Sequence, residues 1–356
     1  MRNDMRNLFL GGIATCTLLL SGCWERPPIE PTQNGYRGLA MGEMITPRLM
    51  AAKTAANALP EVLPPALEGG PTAGSIYKNV PVLGHLSVAE FTRTMVSITN
   101  WVAPKEGCNY CHKVNEDFSV DNVYTKVVAR KMLQMTMAVN SDWKNHVTDT
   151  GVTCYTCHRG KAVPANRWFS QPPERQVARM TGSDDGQNRP GKVVGLTSLP
   201  YDPFSMYLSK AQNIRVVSDT ALPAGNLHNI KQTEGTYALM VHMSDGLGVN
   251  CTYCHNTQAF ASWATSTPQR VTAWYGINMV RELNNSYMDP LAGVFPANRK
   301  GPQGDVGKVN CTTCHQGAFK PLLGAKLVKD FPGLLKAAAP APAPVVAVAG
   351  RTKTPK

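Results

Sequence analysis

The sequence predicts a mainly α-helical chain with extensive irregular loops, built as two pseudo-repeated halves whose core is not made of side chains alone. Three observations lead there. The composition is 43% hydrophobic but only 7% aromatic, with 27 prolines and 30 glycines in 356 residues. That balance describes a folded chain with much irregular connection and few large core side chains. Stretches of helical period precede short cysteine-bearing loops. The loops repeat one pattern, two cysteines separated by two spacers and followed by a histidine, at Cys108–His112, Cys154–His158, Cys251–His255 and Cys311–His315. The first two copies begin 46 residues apart and the last two 60 apart, with 97 between the pairs, which reads as an internal duplication.

The chain opens with "MRNDMRNLFLGGIATCTLLLSGC", a basic start followed by an apolar stretch from Leu8 to Leu20 and small residues before Cys23. This is a secretory signal. Its end, Leu20-Ser21-Gly22-Cys23, looks like a bacterial lipobox, in which the cysteine is acylated and becomes the new N-terminus. Acyl chains contribute about 0.8 kcal/mol per buried CH2, so an acylated Cys23 holds the protein to a membrane surface. The alternative is an uncleaved anchor helix. Either places the folded part outside the cytoplasm, and no later segment is long and apolar enough to span a bilayer.

Eight of the ten cysteines belong to the four repeats, and the other two are Cys16, within the signal, and Cys23. No cysteine remains for a structural disulfide. C-x-x-C-H is the attachment pattern of c-type haem: two thiols form thioethers with the vinyl groups and the adjacent histidine reaches the iron. Paired C-x-x-C motifs also bind zinc, but zinc does not require a histidine after the second cysteine four times over. A thioredoxin-like motif fails for the same reason. The sequence therefore predicts a multihaem cytochrome c of two di-haem halves, with four covalent haems forming much of the core. The attaching thiols are Cys108, Cys111, Cys154, Cys157, Cys251, Cys254, Cys311 and Cys314, and His112, His158, His255 and His315 are the proximal ligands.

An electron carrier fills the second axial position of each iron, and an enzyme leaves it open. Before the first site, Ser87 and Glu90 stand in capping-box spacing, Phe91, Met95, Ile98 and Val102 share one helical face, and Pro104 ends the run. Met95 lies 13 residues before Cys108. Before the third site, Tyr237, Met240 and Ser244 share a face and "SDGLG" reverses the chain, with Met240 11 residues before Cys251. The second site offers Met132, Met135 and Met137, of which Met132 shares a stripe with Tyr124 and Val128. The fourth stays open from the residues alone. Met279 and Met288 follow the helix start Thr267-Pro268, and His85, His146, His228 and His242 lie outside the repeats.

These motifs closely resemble the tetrahaem cytochrome c subunit of purple-bacterial photosynthetic reaction centres. The likeness runs from the lipobox to about Gly333 and is strongest at "MSDGLGVNCTYCHN", "STPQRVTAWYGINMVREL" and "CTTCHQG". It implies methionine ligands at Met95, Met132 and Met240, and His146 as the ligand of the Cys311–His315 haem, which makes Met279 a core residue. It further implies a near-linear row of haems perpendicular to the membrane, with the Cys251–His255 haem nearest the photo-oxidised bacteriochlorophyll pair and the Cys108–His112 haem distal. Implied partners are the reaction-centre L, M and H subunits and a soluble periplasmic donor, either a cytochrome c or a high-potential iron–sulfur protein. The place implied is the periplasmic face of the photosynthetic inner membrane.

The expected organisation is a lipoprotein signal over 1–22, a membrane-proximal extended segment over 23–80, and a first di-haem half over 81–170. A linker over 171–225, a second half over 226–335 and an Ala/Pro-rich, disordered tail over 336–356 follow. Three functions compete: an electron wire to the chlorophyll pair, a periplasmic multihaem reductase with one open iron, and a stand-alone periplasmic carrier. Nothing in the residues marks an open iron, so no enzymatic activity is expected. The formal charge of +12 falls to +11 without Arg2, Asp4 and Arg6, and eight propionates bring it to +3. With no clustered Lys/Arg run, the chain is not expected to bind nucleic acid. Arg270 is either a propionate partner or a solvated helix-start residue. Glu116, Asp117 and Asp121 form a short acidic patch that could steer a basic donor, with Lys105 and Lys113 nearby opposing it.

Overall fold

A computed structural model describes residues 30–33, 42–172, 191–200, 202–217 and 229–336. The signal, Cys23, His228 and the tail after Lys336 lie outside the described residues. Helices joined by irregular and 3-10 segments make up most of the described chain. A small antiparallel hairpin pairs β1 (Glu30–Gln33) with β2 (Gly42–Ile45). It leads into α1 (Pro47–Ala56), which is capped by Thr46, starts on a proline and buries no residue. A short turn, α2 (Ala73–Ile76), follows.

The predicted helices form where their caps and stops stand. In α3 (Val88–Val102) the Ser87 hydroxyl accepts the Glu90 N–H at 3.2 Å, while the Glu90 carboxylate turns to Arg93 at 3.1 Å instead of closing the box. The long α4 (Tyr124–Asp142) is followed by α5 (Lys144–Val147) and then α6 (Cys154–His158). Asn229 and Gln232 close a reciprocal box at the start of α7 (Ile230–Leu247), and Gly248, at φ 64°, makes the reversal that "SDGLG" predicts. α8 (Pro268–Glu282) begins at Thr267-Pro268 and runs into a π-helical turn at Leu283–Met288. The last α-helix of the described residues is α9 (Cys311–His315).

Among the described residues two apolar cores result, and neither belongs to one contiguous stretch of chain. The first gathers Leu83, Leu86, Trp101 and Leu133 with Val328, Phe331 and Leu334 from the far end of the described chain. Arg93 seals it: buried, it donates to the carbonyls of Leu63, Pro64 and Asp330 and lies 4.2 Å from the Phe331 ring centroid. The second core gathers Val139, Leu239, Ile277, Met279 and Leu283 with Phe204, Tyr207 and Leu208. Of the linker expected over 171–225, only residues 171–172, 191–200 and 202–217 are described, and part of that stretch packs into the second core. Phe204, Tyr207 and Leu208 are at most 2% exposed, because the apolar cluster Phe-Ser-Met-Tyr-Leu outweighs the turn formers around it.

Candidate haem centres

The four cysteine loops fall into two structural pairs. The second and fourth are helical, α6 and α9. In each, the residue before the first cysteine donates its N–H to a threonine three residues on, Thr153 to Thr156 Oγ1 and Asn310 to Thr313 Oγ1, both at 3.0 Å. In each, the residue after the histidine is left-handed, Arg159 at φ 50° and Gln316 at φ 48°, and a glycine follows. Gly160 N–H then donates to the Trp101 carbonyl at 2.9 Å, and Gly317 N–H to the Gly246 carbonyl at 2.8 Å. Upstream, the buried side-chain amides of Asn140 and Asn284 each grip the backbone two residues before the first cysteine. Asn140 Oδ1 accepts from Val152 N–H at 2.7 Å and its Nδ2 donates to Val152 O at 3.0 Å. Asn284 does the same to Val309 at the same two distances.

The first and third loops form 3-10 turns, Gly107–Tyr110 and Cys251–Tyr253. An aromatic ring stacks on each histidine, Phe118 on His112 and Phe260 on His255, both with centroids 4.4 Å apart. A basic side chain holds the carbonyls of each loop: Lys126 those of Phe118 and Val120, Arg270 that of Ser262 at 2.8 Å. Thr125 and Thr267 each donate a hydroxyl to the carbonyl of the tyrosine inside the motif, Tyr110 and Tyr253.

The imidazoles are oriented for metal binding. Nδ1–H donates to a backbone carbonyl in His158 (Lys161, 2.9 Å), His255 (Phe260, 3.0 Å), His315 (Ala318, 2.9 Å) and His146 (Thr272, 2.9 Å). A carbonyl can only accept, so Nδ1 carries the proton and Nε2 is the atom left for a metal. His112 departs from this: its Nδ1 is buried without a well-aligned partner, although the Phe118 backbone is near enough to act on it. Burial disfavours the imidazolium in all five rings and lowers His315 to about 4, keeping the ligating form. The His146 and His315 rings stand with centroids 6.0 Å apart at 69°. Two metal–nitrogen bonds of about 2 Å plus two ring radii span roughly that distance.

Burial disfavours the thiolate at Cys111, Cys154, Cys254 and Cys311. It pushes Cys154 and Cys311 up to about 12 and Cys254 to about 11. Cys157 and Cys314 lie with their sulfurs 2.6 Å apart, bringing the second and fourth loops together.

The helices above the loops have a burial pattern that calls for a large apolar partner. On α3 the buried residues are Arg93, Thr94, Ser97 and Trp101, while the stripe Phe91, Met95, Ile98 and Val102 includes no buried side chain: all four are partly exposed. Tyr124, Val128 and Met132 on α4, and Met240 on α7, are likewise half-buried. The buried Thr94 Oγ1, Ser97 Oγ, Trp143 Nε1 and His242 Nε2 have no protein partner. Such a group, apolar in body with polar substituents, is what a haem is, and the residues present fit one.

A profile of the family "photosynthetic reaction centre cytochrome C subunit" matches residues 25–335. The chain is 56% identical over 333 residues to the photosynthetic reaction center cytochrome c subunit of Rubrivivax gelatinosus, covering 93% of this chain and 90% of that protein. It is 50% identical over 326 residues to the subunit of the same name from Thermochromatium tepidum, covering 92% and 80%. The chain belongs to the photosynthetic reaction centre cytochrome c subunit family. Its role is electron transport in photosynthesis, and its family implies covalently bound haem c and association with the reaction centre.

Within this cytochrome subunit, the residues left ambiguous by sequence take distinct places. Met279 is 6% exposed in the second core. His242 is buried against Phe204 with its Nδ1 donating to Val193 O, and His85 is exposed. Arg270 serves the loop, donating also to Ser266 Oγ at 2.8 Å and covering Trp263 at 4.1 Å. The acidic patch is largely neutralised: Glu116 pairs with Lys113, and Asp121 with Arg130 and Lys126. Sequence reading misses Arg93, the two asparagine grips and Gly276, on which the His146 ring rests. Aligning α4 with α8 at an offset of 144 finds both asparagines, and pairs Gly276 with Met132.

Proposed function

We propose that this subunit holds four haems c and relays electrons from a soluble periplasmic donor to the photo-oxidised bacteriochlorophyll pair of a reaction centre with L, M and H subunits. Cys108 and Cys111 attach the first, with His112 and Met95 as axial ligands. Cys154 and Cys157 attach the second, with His158 and Met132. Cys251 and Cys254 attach the third, with His255 and Met240. Cys311 and Cys314 attach the fourth, with His315 and His146. A bound haem supplies a one-electron couple whose potential is raised by methionine and lowered by a second histidine. The chain's own work is to fix ligand orientation, exclude water and set spacing.

The observation that carries this reading is the His146–His315 pair: two neutral rings from distant parts of the chain, 6.0 Å apart, each with Nδ1 already bonded to a carbonyl. The matched loop pairs support an internal duplication. The packing chain, α3 on α6, α6 on α9 and α9 on α7, supports a row in the order first, second, fourth, third. Cys23, acylated, would hold the subunit at the periplasmic face; among the described residues no helix is long and apolar enough to cross a membrane.

The test is a ligand series read by reduced-minus-oxidised spectra and carbon monoxide binding on the assembled protein. Met95→Ala, Met132→Ala, Met240→Ala and His146→Ala should each open a different iron, with the native protein inert to carbon monoxide. Two variants opening the same iron, or a native protein that binds the gas, would reject the assignment. Loss of membrane retention in Cys23→Ser checks the anchor.

A further inference from the structure

Helices α4 and α8 match in register. At an offset of 144, Val127, Ala129, Met135 and Asn140 fall on Val271, Ala273, Met279 and Asn284, each an identical residue. The asparagines make the same bonds to equivalent backbone, Val152 and Val309. Met135 and Met279 both pack in or against the second core. In this frame Met132 falls on Gly276. The fourth methionine of a fourfold pattern is replaced by the smallest residue.

Gly276 sits at an ordinary helical position, so its backbone does not require glycine, and glycine inside a helix is unfavourable relative to alanine. What requires it is space. A Cβ built there would lie 2.6 Å from Cε1, 2.8 Å from Nδ1 and 3.2 Å from Nε2 of His146. One turn earlier on the same face, the Thr272 carbonyl accepts the His146 Nδ1–H at 2.9 Å. Helix α8 therefore supplies both the gap that receives the imidazole and the acceptor that fixes its tautomer.

We propose that Gly276 is the ligand-selecting residue of the fourth centre: by omitting the side chain that α4 carries as Met132, it admits His146 from the other half. This positioning role rests on the ligand set given under the proposed function. It makes one backbone position decide whether that centre is methionine–histidine or bis-histidine, and hence whether its potential is raised or lowered.

The experiment uses the full chain with its haems attached, counted by haem stain, in Gly276→Ala, Gly276→Met, His146→Ala and the double variant Gly276→Met/His146→Ala. His146→Ala alone should bind carbon monoxide at one iron. The double variant should close that iron again, because the methionine reaches from the position that Met132 holds in α4. Gly276→Ala should disturb His146, seen as partial carbon monoxide binding or at least a tenfold shift of one centre's equilibrium, ~59 mV for one electron. If His146→Ala leaves every iron closed, the ligand assignment fails and the proposal with it. If His146→Ala opens an iron, the double variant leaves it open and Gly276→Ala leaves spectrum and potential unchanged, only the role of Gly276 is overturned. Should the methionine variants not mature, Gly276→Ala decides alone.

Discussion

Two helices of one chain, α4 and α8, carry the same framework to different ends. Both place an asparagine eight residues beyond the compared position, and both pack a methionine in or against the second core at the third residue beyond it. They differ at Met132 and Gly276, and in what lies outside them: α4 leads into α5, which bears His146, while α8 leads into a π-helical turn. The asparagine that grips the backbone is the same in both, and the residue proposed to face the centre is not. The comparison separates side chains that build a centre from those that tune it.

The largest effect should come from the shared part. Asn140→Leu strips partners from Val152 N–H, Val152 O and Leu334 O, and Asn284→Leu does so for Val309 N–H, Val309 O and Leu208 O. Leaving several buried backbone groups unpaired costs about 3–5 kcal/mol in each case. Denaturant unfolding of the two variants should give losses that agree within about 1 kcal/mol, the context scatter of such bonds. A large inequality would break the equivalence of the two helices.

The next comparison is Arg93 with Ala238, each two residues before its helix's half-buried methionine. Only the first reaches out, to Leu63, Pro64 and Asp330 carbonyls and the Phe331 ring. Arg93→Ala should cost about 2–4 kcal/mol, since hydrogen bonds to a buried charge are among the stronger ones. It should also expose both the 57–70 and 327–336 segments to protease. Cleavage confined to the first would show that Arg93 does not tie these two segments together.

Much of this was legible beforehand, for physical reasons. Cofactor attachment fixes cysteine and histidine spacing, helix starts announce themselves through Ser87 and Thr267-Pro268, and Gly248 marks a stop. The 327–334 segment in the first core and residues 204–208 in the second were not legible, because long-range burial leaves no periodic signature in short irregular stretches. The asparagine grips were hidden for a related reason. A polar residue near a helix end reads as solvated until the backbone it bonds is known.

A smaller effect distinguishes Trp101 from Gly246, which occupy matching positions six residues after Met95 and Met240. Both lend a carbonyl to the glycine after a cysteine loop. Trp101 also packs edge-on against Phe331 at 4.7 Å, whereas a Cβ at Gly246 would lie 2.7 Å from Thr312 Oγ1. Gly246→Ala should cost about 1–3 kcal/mol by overpacking against α9. A thermal midpoint equal to the native one would show that Thr312 simply rotates aside.

The smallest effect concerns the loops that follow the first and third cysteine motifs. Lys126 and Arg270 hold them alike, but only the first contains acids, Glu116, Asp117 and Asp121, and only there does a carboxylate complete the clamp. The Arg130 guanidinium, with help from Lys126 and Asn79, holds the Asp121 carboxyl well below the usual carboxylate range. A depressed folded value means that the stabilisation is present above the unfolded value of about 3.9 and is lost as pH falls below it towards the folded one. The Asp121 side chain is 37% exposed, so solvent screening limits the contribution to under about 1 kcal/mol. Amide exchange in residues 113–123 should therefore quicken, relative to residues 256–266, as pH falls from about 4 to about 2, and Asp121→Asn should abolish that difference. The same pairing predicts that charge reversal at Glu116 and Asp117 slows reduction by a basic donor only slightly at low salt, because the patch is already balanced by Lys113, Lys126 and Arg130. A steep loss of bimolecular rate would mean that these acids act on the donor and not on their own loop.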